Sequence, residues 1–113
     1  MIVSRKSALN DLINFNRSIS AVTSDLKVYP WDSIDPLVTL TSVHIVNFLA
    51  RFVNDEISAS TVEEWANAIE GRDDIEYSSS EAIILAIHEL ANPLLTQPIT
   101  RQSVQDVISR LIA

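Results

Sequence analysis

The stretch that most constrains the fold is residues 78–92, SSSEAIILAIHELAN, which is the only helix candidate that is apolar on nearly every side. Such a helix needs neighbours all around it, so we expect it to be the buried central helix of the domain. Ser78 stands three residues before Glu81, the spacing of a capping box, and Asn92 with Pro93 ends the pattern. The apolar positions are Ile83, Ile84, Leu85, Ala86, Ile87, Leu90 and Ala91.

The composition predicts one globular domain over residues 1–113. A hydrophobic content of 47% across 113 residues is enough to close a single core. The chain has no cysteine, which excludes a disulfide framework and a thiolate zinc site and favours a cytoplasmic protein. It has one glycine, and because hairpins depend on glycine, a sheet-rich fold is not expected. No apolar stretch approaches the ~20 residues of a membrane span, so no membrane partner is expected.

Two amphipathic helices are predicted in the first half of the chain, where apolar residues recur at steps of three and four. The first is one long helix over residues 3–27, with Ser4 as its N-cap. The second begins at Thr41 and ends near Asn54. Between them, the prolines keep residues 31–40 irregular.

Two more helices follow the same spacing on either side of the central one. The third carries Trp65 as a core residue and stops at Gly71, the only glycine. The fifth is capped by Thr100 and runs to the end of the chain. The predicted fold is therefore an all-α, compact, irregular bundle of about five helices around a buried central helix.

The negative charge of the chain is concentrated in residues 54–77. This segment has eight acidic side chains and one basic one, Arg72, whereas the rest of the chain has seven of each sign. The formal net charge of −7 therefore lies on the third helix and the loops at its ends. Because the apolar stripe of that helix faces inward, we expect its acids to form one strongly negative surface. The acids are Asp55, Glu56, Glu63, Glu64, Glu70, Asp73, Asp74 and Glu76.

Three interpretations of these acids are open at this level. They can keep the surface solvated. They can form a docking surface, because clustered carboxylates steer association with a basic partner and pair with its lysines and arginines. Asp73, Asp74 and Glu76 can also be considered as metal ligands, but the segment lacks the glycine and the spacing of a calcium loop, so no metal is predicted. The docking interpretation places Asp73 and Asp74 in an exposed loop.

The loop of residues 28–40 has two interpretations of its own. Trp31 and Asp32 lie between Pro30 and Pro36, and Tyr29 directly precedes Pro30. An aromatic side chain on such a loop either plugs the open end of the bundle or anchors a partner.

The sequence does not predict an enzyme or a cofactor site. His44 and His88 each lie within a predicted helix, without a phosphate-binding glycine loop or a metal-ligand doublet nearby, so structural roles are expected for both. Direct binding of nucleic acid is not expected either, because the chain has no run of basic residues to neutralise phosphates.

One run of residues resembles a group of small bacterial proteins. It is YPWDSIDPLVTLTSVHIVNFLARFVNDEISASTVEEWANAIEGRDDI followed by HELANP, and it covers residues 29–100. The group shares a PWD segment, a helix beginning at LT, the run EEWANAIEGRDD and a helix end at ELANP. Through that group, and in its size and acidity, the chain is similar to the helical immunity proteins that bacteria make beside secreted or contact-delivered toxins.

This resemblance implies a function and a partner. An immunity protein binds the nuclease domain of its own toxin, often a basic domain, and blocks the active site; here the implied toxin is an RNase of the EndoU type. The residues expected to contact it are Glu63, Glu70, Asp73, Asp74 and Glu76, with Trp31 or Tyr29 as an apolar anchor. The alternative is a helical adaptor or regulatory domain, which would dock a helix in an exposed apolar groove.

Overall fold

Six helices and two short strands make up the part of the chain that the structure, a computed structural model, describes: residues 4–30, 35–78 and 81–112. The predicted all-α class is confirmed, with six helices because the first predicted one is divided in two. No helix in these ranges is long and apolar enough to cross a bilayer. The elements are α1 (Arg5–Asn14), α2 (Ile19–Leu26), β1 (Val38–Leu40), α3 (Ser42–Val53), α4 (Ala59–Ile69), β2 (Ile75–Tyr77), α5 (Glu81–Ala91) and α6 (Arg101–Ile112).

Three of the predicted helix caps are confirmed, whereas the cap predicted at Ser78 precedes residues outside the described ranges. The side-chain oxygens of Ser4, Thr41 and Thr100 each accept a hydrogen bond from a backbone N–H in the first turn of the helix that follows. Gly71 has a φ of +85°, which is the left-handed conformation expected of a helix stop. These ends could be predicted because each depends on residues within one turn.

The prediction of one helix over residues 3–27 is wrong, because the chain leaves the helix at Phe15. This residue has a φ of 51° and lies in the left-handed region, and Ser18 then caps α2. The Phe15 ring packs edge-on against Phe48, with the ring centroids 5.1 Å apart. Phe15 therefore continues the apolar stripe of the sequence although the helix has ended, which is why the stripe alone did not reveal the break.

Trp65 lies at the centre of the core, as predicted, and is fully buried. Its ring stacks on Phe48 of α3, with a centroid separation of 4.0 Å and an interplanar angle of 16°. Its indole Nε1–H donates a hydrogen bond of 2.7 Å to the Leu12 carbonyl oxygen of α1. One side chain of α4 thus joins three helices.

The two strands were not predicted, and β1 falls in the stretch expected to be irregular. They pair in parallel, with Val38 opposite Ile75 and Leu40 opposite Tyr77. Helices α3 and α4 form the crossover between them. Each strand has only three residues, too few to show an alternating pattern in the sequence.

The prediction of a central helix wrapped on every side is wrong for α5. Its buried face packs mainly against α4 and also against α6, whereas Ile84 and Leu85 are 51% and 50% exposed. The interior position belongs to α4, whose four core residues are all fully buried: Val62, Trp65, Ala66 and Ile69. The proposed cap residue Ser78 is described, but Ser79 and Ser80 lie outside the described residues.

Truncations on the two faces of α5 should have different costs. Ile87 is 1% exposed, so Ile87→Ala should lower the free energy of unfolding by ~2–5 kcal/mol through the cavity it leaves. Leu85→Ala removes a half-exposed side chain from the same helix and should cost less than ~1 kcal/mol. Urea unfolding followed by circular dichroism measures both, and equal costs would contradict the one-sided packing of α5.

Candidate functional site

Asp74 is buried, so the prediction of an exposed carboxylate at this position is wrong. Its side chain is fully covered, and it receives two hydrogen bonds from Arg72, of 2.9 and 3.1 Å. The Nε of Arg5, at the start of α1, donates a third one of 3.0 Å. The carboxylate is therefore fully engaged inside the molecule and is not available to a partner in this structure.

The surroundings of Asp74 hold its carboxylate in the charged form. Burial acts to raise the pKa of Asp74, but the hydrogen bonds from Arg72 and Arg5 outweigh it, and the pKa lies below the ordinary value of 3.8. A lowered pKa means that folding is favoured by the charged group. This stabilisation is complete above the ordinary pKa and is lost as the pH falls through the folded value.

The Asp74 cluster connects distant parts of the chain. Arg5 also donates a 2.8 Å hydrogen bond to the Pro30 carbonyl oxygen, and its guanidinium carbon lies 5.9 Å from the centroid of the Tyr29 ring. The Asp74 carbonyl oxygen accepts a 2.8 Å hydrogen bond from the N–H of Leu37, just before β1. The cluster of Arg5, Arg72 and Asp74 therefore holds together the start of α1, the loop that follows α2, and the residues just before β1 and β2.

Tyr29 is half-buried beside this cluster, and Trp31 lies outside the described residues. Tyr29 lines a cleft of about 330 Å³ between α2 and α4, together with Leu26, Ala68 and Arg72. Its position fits the interpretation of the loop as a plug better than that of a free anchor, since Arg5 covers the ring.

Asp73 and Glu76 are exposed, as predicted, on and beside β2. Glu76 is opposite Thr39 in the strand register, and its carboxylate lies 3.4 Å from the Thr39 hydroxyl. Both carboxylates point away from the core, since the buried neighbours Asp74 and Ile75 occupy the inward positions.

Glu70 links the end of α4 to the end of α5. One oxygen of its carboxylate lies 3.0 Å from His88 Nδ1, and the other accepts a 3.1 Å hydrogen bond from Asn92 Nδ2. The side chain is 36% exposed, so it keeps part of its surface for another molecule.

Glu63 lies two turns before Glu70 on the same side of α4, beside the loop between α5 and α6. There it helps to form a cleft of about 250 Å³, which we call the Glu63 cleft. Leu94 in this cleft is fully exposed, and the next residue, Leu95, is 79% exposed. The cleft is lined by Ala59, Ser60, Glu63, Pro93, Leu94, Pro98 and Ile99.

Sequence reasoning missed the two leucines. The signal was present as the pair Leu94 and Leu95 between Pro93 and Pro98. Prolines keep this stretch out of a helix, so it cannot turn both leucines toward a core as an amphipathic helix would. Exposed apolar side chains next to a carboxylate form a surface suited to a partner that is both basic and apolar.

The remaining acids lie on other sides, so the expected single negative surface is divided. Glu64 lines a groove between α4 and α2, on the side of α4 away from Glu63. Asp55 forms an ion pair with Arg101, whose Nη2 lies 3.1 Å from each carboxylate oxygen. Five carboxylates of the segment have no basic side chain of the described residues within ion-pair distance: Glu56, Glu63, Glu64, Asp73 and Glu76.

The two histidines have the structural roles that the sequence predicts. His44 Nδ1 accepts a 3.0 Å hydrogen bond from the Thr41 N–H and so completes a capping box at the start of α3. His88 contacts Glu70 between α4 and α5. The structure does not bring these two rings together in any cleft of the described ranges.

Comparison of the chain with known proteins finds no relative with which this arrangement of residues can be compared. No family model, curated protein or solved structure matches the chain.

Replacing Asp74 should damage the fold, in contrast to replacing its neighbour. Asp74→Asn removes the charge from a buried cluster with two arginines and should lower the free energy of unfolding at pH 7 by ~3–5 kcal/mol. Asp73→Asn makes the same chemical change on an exposed side chain and should cost less than ~0.5 kcal/mol. Urea unfolding at pH 7 measures both values.

The pH dependence supplies an independent check. The difference in stability between wild type and Asp74→Asn should shrink as the pH falls below 3.8, because protonation then removes the same charge from the wild type. The comparison requires unfolding curves at pH 7, 4 and 3 for both proteins. A difference that stays constant over this range would show that the charge of Asp74 does not stabilise the fold.

Proposed function

We propose that the chain is a helical immunity protein that binds the basic nuclease domain of a cognate bacterial toxin and blocks its active site. The observation that carries the proposal is the Glu63 cleft, where a carboxylate without an ion pair lies beside the fully exposed side chain of Leu94. The resemblance of residues 29–100 to a group of small bacterial proteins, and the likeness of that group to helical immunity proteins, support the same function, with an EndoU-type RNase as the implied toxin.

The charge of the surface supports a basic partner. Five carboxylates of residues 54–77 are free of ion pairs within the described residues, and a nuclease that holds RNA phosphates presents lysines and arginines. Opposite charges steer two proteins together and raise the association rate. In this proposal Glu63, Glu70, Asp73 and Glu76 provide the steering field, and Asp74 belongs to the fold.

The leucines supply the short-range part of the contact. A charged surface alone gives fast but short-lived association, whereas buried apolar anchors slow dissociation. Leu94 is fully exposed in the free protein and therefore gains the most from being covered by a partner. The proposed contact is accordingly centred on Leu94 and Leu95, with Glu63 at its edge.

A second function, that of a helical adaptor, is favoured by one observation. A groove of about 590 Å³ runs between α3 and α6, with Val46, Ala50, Val53 and Ile108 among its lining residues and glutamines at its rim. A groove of this kind can accept an amphipathic helix. Ser109→Arg would obstruct it from an exposed position, whereas Glu63→Lys would not touch it.

Binding should respond to substitutions in the Glu63 cleft in two separable ways. Co-purification with the product of the neighbouring gene supplies the partner, and interferometry measures the rates. Glu63→Lys should slow association, and the wild-type association rate should fall steeply as salt rises from about 50 to 500 mM, because screening shortens to a few ångströms. Leu94→Ala should mainly speed dissociation, with an affinity loss of ~1–2 kcal/mol.

Matched controls separate this contact from general effects of charge and apolar area. Glu81→Lys makes the same change in net charge at the exposed start of α5, at the other end of that helix from Leu94, and Val28→Ala truncates a side chain that is 74% exposed elsewhere. Both should bind as wild type does. If Ser109→Arg abolishes binding and the Glu63 and Leu94 variants do not, the adaptor function replaces the immunity function.

A further inference from the structure

Arg51 is unlike the other arginines of this acidic chain. Five of the six arginines lie within about 3.1 Å of a carboxylate oxygen. Among the described residues no carboxylate lies within ion-pair distance of Arg51, although the chain has 15 acids for 8 bases. The guanidinium of Arg51 is therefore free to pair with an anion from another molecule.

The Arg51 side chain lines a recessed pocket between α1 and α3. The pocket has a volume of about 260 Å³, and its walls are Ile13, Asn14, His44, Asn47, Phe48 and Arg51. Since a water molecule occupies ≈30 Å³ in the liquid, this volume holds roughly eight waters, or an organic acid of a few carbons. Four of the six side chains are polar, so the pocket suits a charged ligand.

The position of Arg51 is fixed by a strained residue. Its guanidinium carbon lies 5.2 Å from the centroid of the Phe15 ring, at cation–π distance. Phe15 closes α1 with a φ of 51°, a left-handed conformation that costs a non-glycine residue ~1–2 kcal/mol. The break between α1 and α2 thus places an aromatic ring beside Arg51, which has no carboxylate within ion-pair distance among the described residues.

The other polar groups of the pocket add hydrogen-bond donors. His44 uses Nδ1 to accept from the Thr41 N–H, so its neutral ring carries the proton on Nε2. Burial lowers the pKa of His44, which keeps the ring neutral at pH 7 and Nε2–H a donor. Asn47 stands one helical turn before Arg51 and contributes an amide to the same pocket.

We propose that this pocket binds a small organic carboxylate, with Arg51 as its charge partner and His44 and Asn47 as hydrogen-bond donors. A carboxylate matches the planar guanidinium fork and carries the single charge that one arginine balances. A phosphate carries more charge than this pocket offers. The proposal is independent of the toxin contact, because the Glu63 cleft is built from α4 and the loop after α5.

Acetate is the probe, and NMR of the full chain is the measurement. Sodium acetate should cause saturable shifts of the His44 ring and of the amides of residues 47 and 51. Acetamide, which is neutral, and sodium chloride at the same ionic strength should not. Inorganic phosphate should bind at least tenfold more weakly than acetate; tighter binding of phosphate would overturn the carboxylate assignment.

Two variants decide whether Arg51 carries the binding. Asn47→Asp places a carboxylate one turn before Arg51, so it should occupy the site, reduce acetate affinity at least tenfold and leave the melting temperature equal or higher. Arg51→Gln should also lose binding, and Arg101→Gln, at an exposed ion pair, should not. Wild-type acetate binding by folded Asn47→Asp, or no saturable shift in the wild type, would overturn the proposal.

Discussion

The packing of Trp65 is the interaction on which the rest of the fold depends. Its indole is buried, donates to a carbonyl of α1 and stacks on Phe48 of α3, so three helices share one side chain. Phe48 in turn packs against Phe15, and Phe15 lies under Arg51. This column of three rings and a guanidinium holds Phe15 in its left-handed conformation. The break between α1 and α2 is therefore a consequence of the core.

Features set by neighbours in the chain could be predicted, and features set by distant contacts could not. Thr41 and Thr100 cap their helices through residues one turn away, and the sequence shows them directly. The turn at Phe15 depends on Phe48, and Asp74 is covered by Arg5, 69 residues away in sequence, as well as by its near neighbour Arg72. The sequence predicts an exposed aspartate in an acidic run, because it does not show that an arginine from α1 covers the carboxylate.

The acidic segment contains both buried and surface carboxylates in this structure. Asp74 lies just before β2 and is hydrogen-bonded to Arg5 of α1 and to Leu37 before β1. Its charge is neutralised inside the protein. Glu63, Asp73 and Glu76 remain at the surface, where a basic partner can reach them. Net charge alone therefore does not define the proposed contact, because part of the charge stabilises the fold and the apolar half of the proposed contact lies in the loop after α5.

The stacked rings of Trp65 and Phe48 stabilise the fold jointly, and a double-mutant cycle measures this coupling most directly. The free energy of unfolding is measured in urea for wild type, Phe48→Leu, Trp65→Phe and the double variant. We expect a coupling energy of ~0.5–1.5 kcal/mol beyond the sum of the single effects, as is usual for stacked rings in contact. Additivity within ~0.3 kcal/mol would contradict this coupling between Trp65 and Phe48.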